Sequence, residues 1–592
     1  MCGIAGILFS SATTDERETR LEAMQRALRP RGPDGTGMWC DVHAALSHTR
    51  LALLDLESGH QPMVDSSGRH LLVFNGEIYN HIELRDELRG QYAFRTRSDS
   101  ETLLAAWTVW GEACLERLNG MFSFLIWDSV EQCGFAARDP LGVKPFVYAR
   151  RGSEFIFASE TKAILAGGWG RPSLNRRALA EYLVAPSLSG VQESMIKGIE
   201  HLGAGCKLRI TREKVVVKKW DEYRVGSGEG DHLAIEALRG ALEKSVERAM
   251  RADVPVGVFL SGGVDSTLLA TLATRHCREP LRAFTYCFEG HDRVDYGHSR
   301  MIGSDDAPFV DETVKRIPVE LERVVLSQEM MMSRLEMMAA VNDRVPAWEQ
   351  EFAQDALARS ASGRRKAVLV GDAADETHYG YHFLLEEAVS SSPLALLESF
   401  DARQREACLS PAIRAEMRPV RRLSETLEEM ISGAGYGLGN RMERLRAMSW
   451  LVVKLWLGRL LHNGDIHTMA HGVESRVPFA DRDVLVVAQG ISPLQGYDGG
   501  VEKRVLREAA RSFVPDAVYR RKKSALPCDP RLGPRYQKAL IPLLQEEKVF
   551  AEEYFDVSNV NMLCRQPVPD ENARMLLFNL LALICWKRHY LG

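Results

Sequence analysis

The chain has 592 residues, of which 45% are hydrophobic and 26% charged, with a formal net charge of −5 at pH 7. This composition is typical of a multidomain globular protein and excludes a basic nucleic-acid surface and a polybasic membrane anchor. We find no secretory signal, no apolar run of about 18 residues, and 11 scattered cysteines without a Cys-x-x-Cys pair. These features predict a cytoplasmic protein with reduced thiols.

The first 220 residues alternate short apolar runs with Gly, Pro, Asp and Asn. Runs such as HLLVFNGEIYN, MFSFLIWD and EFIFASE predict strands, and ETRLEAMQRALR and SETLLAAWTVWGEACLERL predict two helices. The polar stretch DEYRVGSGEGDH then predicts a linker near 221–232. Beyond it, strands such as PVGVFL, LRAFTYCF and KAVLVG alternate with helices, and the pattern is mostly helical from about 395. We therefore predict two domains, 1–220 and 230–592, the second with a doubly wound parallel sheet.

The chain begins MCGIAGILF, which places Cys2 directly behind the initiator methionine. Methionine is removed before small residues, so Cys2 would carry both a thiol and a free α-amine. An α-amine has a pKa of roughly 7.7–8.0 and can serve as the base for the thiol. The alternative is that Cys2 is a small buried residue at the start of a strand.

Two motifs follow predicted strands in the second domain. SGGVDS, Ser261 to Ser266, joins a strand to a helix, where its backbone N–H groups can cradle a phosphate and Asp265 can hold a cation. It lacks the lysine of a Walker loop. GDAADE contains Asp372, Asp375 and Glu376, whose carboxylates could share magnesium with Asp265 or simply favour a helix N-terminus.

Polar residues also cluster near predicted strand ends in the first domain. Arg50 could bind a carboxylate, Glu77 and Asp99 an ammonium, and Asn75 with the Gly76 N–H an oxyanion. Elsewhere, HTMAH has the spacing of a zinc pair, His467 and His471, but has threonine where a zinc protease needs glutamate. Buried or surface histidines are therefore favoured over a metal site there.

Together these motifs resemble a known family. Cys2-Gly3-Ile4, RGPDG at 31–35, NGEIYN at 75–80 and RSDSE at 97–101 resemble class II glutamine amidotransferases. SGGVDS, GDAADE and SRVPFADRD at 475–483 resemble the synthetase domain of glutamine-hydrolysing asparagine synthetases. The resemblance covers essentially the whole chain. It implies an Ntn-type α/β/β/α sandwich followed by an ATP pyrophosphatase domain with a helical C-terminal part.

The resemblance implies that Cys2 hydrolyses glutamine through a thioester, with its own amine as base, and that Asn75 and Gly76 hold the oxyanion. Ammonia would then pass through an internal tunnel to the second site. The implied glutamine-binding residues are Arg50, Leu51, Ala52, Leu53, Leu54, Asn75, Gly76, Glu77 and Asp99.

The second domain is implied to use ATP and Mg²⁺ to adenylate a carboxylate, by default aspartate, which ammonia converts to the amide with release of AMP. Asp372 would take a proton from ammonia, and Lys503 would stabilise phosphoryl charge. Asp265 and Asp375 would bind magnesium. The implied ATP-binding residues are Phe259, Ser261, Gly262, Gly263, Val264, Asp265, Ser266, Tyr286, Val370 and Gly371.

The chain departs from the family on the acceptor side. Asp372 replaces a common glutamate, Asn463-Gly464-Asp465-Ile466 replaces Lys-x-Asp-Arg, and 343–351 is also unusual. The alternative function is therefore the same chemistry on another carboxylic acid in a specialised natural-product pathway. A sugar-phosphate aminotransferase would lack SGGVDS, and a ring-closing relative or a non-catalytic subunit would be expected to lose Cys2. The oligomeric state is open, with a homodimer as one candidate.

Overall fold

The computed structural model describes residues 2–188, 194–226, 231–297, 299, 302–390, 401–497 and 500–592. Met1, on which the predicted processing of the N-terminus depends, lies outside the described residues. So do 227–230 of the predicted linker and 498–499 of the stretch before Lys503.

Two antiparallel sheets form the first part of the chain. The first has the strand order β10-β8-β9-β1-β3-β2 and the second β12-β11-β7-β6-β5-β4. The strands are β1 (Gly3–Leu8), β2 (Gly35–Cys40), β3 (Ala44–Arg50), β4 (Met63–Val64), β5 (His70–Ile78), β6 (Gly120–Asp128), β7 (Cys133–Arg138), β8 (Val147–Arg151), β9 (Glu154–Ala158), β10 (Glu200–His201), β11 (Cys206–Ile210) and β12 (Val215–Lys219).

An apolar core joins the inner faces of these sheets, for example Ile4 of β1 with Leu125 and Trp127 of β6. Helices Thr14–Leu28 and Thr161–Ala166 pack on the first sheet, and His81–Leu88 and Asp99–Trp110 lie on the side of the second; Arg176–Val184 follows. This confirms the predicted α/β/β/α sandwich. The helix predicted through Leu118 ends at Trp110, because Gly111 has φ 55° and turns the chain out of the α-helix.

A five-stranded parallel sheet forms the centre of the second part, with the order β15-β14-β13-β16-β17. Its strands are β13 (Val256–Phe259), β14 (Leu281–Phe288), β15 (Val319–Leu326), β16 (Ala367–Leu369) and β17 (Glu474–Arg476). The surrounding helices are Asp231–Ala249, Val264–Ala273, Ala307–Val314, Gln328–Val341 and Glu351–Ala361. Since β13 and β16 are neighbours, the loops that follow them meet at one edge of the sheet.

The rest of the described chain is mostly helical, as predicted. Its helices are Ala374–Thr377, His382–Ser390, Ala402–Ala407, Pro411–Met417, Pro419–Gly433, Arg441–Leu451, Gly458–Met469, Arg482–Gly490, Pro493–Gly496, Arg504–Ala510, Asp516–Arg520, Gly533–Glu546, Lys548–Tyr554, Val557–Cys564 and Glu571–Tyr590. A π-helical turn, Val452–Leu457, leads into Gly458–Met469. Within the described ranges, no helix is both long and apolar enough to cross a membrane.

Candidate active sites

Cys2 lies immediately before β1 and is 8% exposed. Its backbone nitrogen, the atom that would become the α-amine, donates a hydrogen bond to Asn75 Oδ1 at 3.2 Å. Burial raises the pKa of the Cys2 thiol, an effect that the positive N-terminus and the Leu51 N–H oppose. The thiol therefore depends on a nearby base to become a thiolate.

Asn75 has the geometry of an oxyanion donor. Its side chain is fully buried in β5, and its Nδ2 group has no hydrogen-bond partner in the described part of the chain. The neighbouring Gly76 runs so close to β6 that a Cβ atom would lie 2.2 Å from the Met121 carbonyl oxygen. Any side chain at Gly76 would therefore displace the strand that carries Asn75.

The predicted glutamine-binding residues surround this position. Arg50 ends β3, and its guanidinium donates to the carbonyl oxygens of Leu54, Asp55 and Leu56 at 3.3, 2.5 and 3.0 Å. Leu51, Ala52 and Leu53 are buried and Leu54 is half-buried. The Ala52 N–H donates to Asp34 of the RGPDG motif at 2.8 Å, which fixes this segment.

Two carboxylates stand where a substrate ammonium could bind. Asp99 is the first residue of its helix and accepts a hydrogen bond from the Ile78 N–H at 2.9 Å. Glu77 lies 3.3 Å from the guanidinium of Arg476, which belongs to the other half of the chain. Burial raises the pKa of both carboxyls. A bound cation would offset that cost.

The segment Ser261–Ser266 leads from β13 into the first turn of the helix Val264–Ala273, as predicted from its motif. Gly262 has φ 65°, and a Cβ there would lie 2.8 Å from the backbone nitrogen of Val310. The Ser261 N–H donates to Ser266 Oγ, and the two hydroxyl oxygens are 3.1 Å apart. The turn is thus tight, with small polar groups at a helix N-terminus.

Two lysines lie among the carboxylates beside this loop. Lys503 is 2% exposed, and its Nζ lies 2.5 Å from Asp265 Oδ2 and 2.6 Å from Asp375 Oδ1. Lys523 lies 2.7 Å from Asp375 Oδ2. Burial acts to raise the pKa of Asp375, but the two ammonium groups outweigh it and lower the pKa to about 2. Lys503 is therefore a buried member of the site.

The carboxylates also fit a divalent cation. Asp265 Oδ1 is buried and has no hydrogen-bond partner within the described chain, and Asp375 lies across Lys503 from it. Carboxylate oxygens beside a phosphate-binding loop are the ligands that Mg²⁺ prefers.

Asp372 follows β16 and faces the helix Gly458–Met469. A Cβ at Gly464 of that helix would lie 3.1 Å from Asp372 Oδ2, so the absence of a side chain leaves room for the carboxylate. Burial, helped by Asp375, raises the pKa of Asp372 to about 6. At neutral pH it is thus ionised but more basic than an ordinary aspartate.

The Ser261–Ser266 loop, Asp265, Asp375, Asp372 and Lys523 line one cavity of about 160 Å³, with Lys503 buried behind the two carboxylates that it pairs with. Nine of its lining residues were predicted as site residues: Phe259, Ser261, Asp265, Ser266, Tyr286, Val370, Gly371, Asp372 and Asp375. The other members of the wall were not predicted as site residues; they are Leu260, Thr285, Asp306, Gln354, Leu357, Gly464, Thr468, Ser475, Lys523 and Leu526. Ser475 and Thr468 lie in the motifs SRVPFADRD and HTMAH, whereas residues such as Gln354 and Lys523 come from distant segments that carry no motif.

Ion pairs connect the two sites. The Arg31 guanidinium donates to the Cys2 carbonyl oxygen at 3.0 Å and lies 2.8 Å from Asp465 in the helix that carries Gly464. Arg31 also pairs with Glu160 at 2.7 Å, and Lys144 lies 3.3 Å from Asp465. Because these side chains are almost completely buried, the contacts fix the Cys2 strand relative to the helix beside Asp372.

The two histidines of HTMAH pair with carboxylates of the helix Glu351–Ala361. His467 Nε2 lies 3.1 Å from Glu351, and His471 Nε2 lies 2.8 Å from Asp355. Among the residues that the structure describes, no group of three or more His, Cys, Asp or Glu side chains is arranged to hold a metal ion. Each of the two histidines instead pairs with one carboxylate.

Comparisons with known proteins agree with both halves of this description. A glutamine amidotransferase domain model matches residues 1–221, and an asparagine synthase model matches residues 237–588. The chain is 29% identical to the glutamine-hydrolysing asparagine synthetase 3 of Bacillus subtilis over 538 residues, covering 89% of this chain and 87% of that protein. It is 31% identical to a putative asparagine synthetase of Mycobacterium bovis, with the same coverage. The chain belongs to the glutamine-hydrolysing asparagine synthetase family.

Proposed function

We propose that this protein is a glutamine-dependent amidotransferase in which Cys2 releases ammonia and the second site uses ATP to amidate a carboxylic acid. The observation that carries this proposal is the pair of buried sites, one around Cys2 and Asn75 and one around Asp265, Asp375 and Lys503, joined through Arg31 and Asp465. The enzyme would act in the cytoplasm on small molecules, and a homodimer is one candidate assembly.

In the first reaction, the mature α-amine of Cys2 takes the thiol proton, and the sulfur attacks the glutamine amide carbon. The unpaired Asn75 Nδ2 group and the Gly76 N–H stabilise the oxyanion. Asp99 and Glu77 bind the substrate ammonium, and Arg50 binds its carboxylate. Ammonia leaves with a proton from the amine, and water then hydrolyses the thioester to glutamate.

In the second reaction, the acceptor carboxylate attacks the α-phosphorus of ATP, and pyrophosphate leaves on the Ser261–Ser266 loop. Lys503 stabilises the charge that grows on the phosphate oxygens. Mg²⁺ bound by Asp265 and Asp375 would neutralise part of the pyrophosphate charge. Ammonia then displaces AMP, and Asp372 accepts the proton that the nitrogen loses.

Aspartate is the default acceptor, but the cavity favours a second candidate. Among the described residues that line the cavity, Lys523 is the only cation, and it already pairs with Asp375. An α-carboxylate on the acceptor would need a positive partner of its own. The wall instead contributes apolar side chains, the amide of Gln354, the Asp306 carboxylate and the hydroxyl groups of Thr285, Thr468 and Ser475. These features support an acceptor whose remaining part is neutral.

Pyrophosphate release, measured with ATP, Mg²⁺, ammonia and a panel of acids, tests both candidates. Aspartate-dependent release that is faster than the release with every other acid would establish the default. Faster release with a neutral monocarboxylate would establish the alternative. No acid-dependent release from a panel that includes both classes would contradict the proposed amidation.

A further inference from the structure

A second cavity lies between the two halves of the chain. It shares no lining residue with the cavity that contains Asp265, Asp372 and Asp375. Its walls come from the end of β7, the segment after β12, the segment before helix Glu351–Ala361, and the π-helical turn. Its volume is about 50 Å³. That is room for a few waters or one small ion.

Two cations that line this cavity, Arg344 and Lys454, have no carboxylate partner in the described structure. Arg344 is 3% exposed, and its Nε and Nη1 groups have no hydrogen-bond partner in the described structure. Lys454, on the π-helical turn, is half-buried, and burial lowers its pKa. Within the described ranges, neither side chain has a carboxylate oxygen within 4.0 Å. Arg138, on a third wall, donates to three backbone carbonyl oxygens at 2.6 Å each.

The nearby carboxylates do not neutralise the inner wall. Asp343 is next to Arg344 in sequence, but it accepts a hydrogen bond from the Thr161 N–H at 2.5 Å. Asp221 and Glu222 also line the cavity, but both are partly exposed, and Glu222 pairs with Lys219 at 2.5 Å. The cavity wall therefore carries three cations and two half-buried carboxylates, and the buried Arg344 guanidinium still has two N–H-bearing nitrogens without an acceptor among the described residues.

We propose that this cavity binds a small inorganic oxoanion between Arg344 and Lys454. An arginine stays protonated inside a protein, so its buried N–H groups need acceptors, and an oxoanion supplies several in the planar geometry of the guanidinium. The anion would connect the segment before helix Glu351–Ala361 to the π-helical turn, beside Arg138 of the first half of the chain.

Phosphate titration of the full chain at constant ionic strength, with chloride as the replaced ion, tests the site through the midpoint of thermal unfolding. Binding to the native state raises the midpoint with a measurable apparent affinity. Arg344→Gln and Lys454→Gln should each weaken that affinity by about tenfold or more. Arg359→Gln, which changes an exposed arginine, should leave it unchanged.

The Ser261–Ser266 loop could also bind phosphate, so Ser261→Ala separates the two sites. The response should survive in Ser261→Ala, and a crystal soaked in selenate should show an anomalous peak beside Arg344. If Arg344→Gln does not fold, Lys454→Gln decides. Three results would overturn the proposal: no response to phosphate, an unchanged phosphate affinity in both Arg344→Gln and Lys454→Gln, or a response that is lost in Ser261→Ala.

Discussion

The glutamine side and the acceptor side of this protein are built in different ways. Cys2, Arg50, Asn75 and Asp99 all come from the first 99 residues and stand at the start of a strand, on strands or at the start of a helix. The walls of the cavity that contains Asp372 come from segments between Phe259 and Leu526. A site fixed by strands and backbone N–H groups demands particular residues in short motifs. A site enclosed by distant side chains can change its substrate without changing its chemistry.

The strongest way to break this comparison is to separate the two reactions. Cys2→Ala should lower glutamine hydrolysis by about 10⁴-fold or more, because it removes the nucleophile. Ammonia-dependent amidation should remain, since the second site uses ammonia from any source. Glutamate release and amide formation, measured separately, check both expectations.

The matched control for that variant is Cys133→Ala, which removes a half-buried thiol from β7 and should leave both reactions unchanged. Glutaminase activity retained in Cys2→Ala would show that the nucleophile lies elsewhere.

Lys503→Ala probes the other side. It removes the ammonium between Asp265 and Asp375, and carboxylate-dependent pyrophosphate formation should fall by about 10²–10³-fold, the effect of losing one preorganised charge stabiliser. Binding of ATP should weaken much less, because the charge grows in the transition state. Basal glutamine hydrolysis should persist.

Lys522→Ala, at an exposed neighbour of Lys523, is the control for a lost surface charge. Near-normal pyrophosphate formation in Lys503→Ala would mean that Lys503 only neutralises Asp265 and Asp375 and does not stabilise the transition state.

Asp99→Asn sharpens the description of the glutamine side. The amide can still accept the hydrogen bond from the Ile78 N–H, but the charge that would pair with the substrate ammonium is gone. The glutamine KM should rise about tenfold to 100-fold, as expected for a charged hydrogen bond. Ammonia-dependent amidation serves as the internal control. An equal loss there would show that Asp99 acts on the fold or on the second site.

The sequence predicted the fold class and the places of SGGVDS and GDAADE, because hydrophobic periodicity and glycine turns are local signals. It did not predict that Lys523 pairs with Asp375 or that Gln354 faces the same cavity. These residues are far apart in the sequence, and only tertiary packing brings them together. The strand VELERVVL, now β15, was also missed. The domain boundary near 221–232 and the roles of the site residues stay predictions.

The smallest expected effect tests the acceptor side through one methyl group. In Gly464→Ala, the new Cβ would stand 3.1 Å from Asp372 Oδ2, so the carboxylate must shift by a few tenths of an ångström. Alanine also favours the helix Gly458–Met469, so the fold should not weaken. We expect amide formation to slow by about threefold to tenfold, because a displaced base transfers its proton less well. Glutamine hydrolysis should not change.

Gly240→Ala is the matched control, since Gly240 lies inside the helix Asp231–Ala249 with no atom within 4 Å of the added methyl group. If Gly464→Ala and Gly240→Ala formed the amide equally fast, the close approach of Gly464 would not govern Asp372. If Gly464→Ala instead changed the preference among acids, position 464 would help to select the acceptor. The substrate specificity of the acceptor side would then depend on the helix Gly458–Met469.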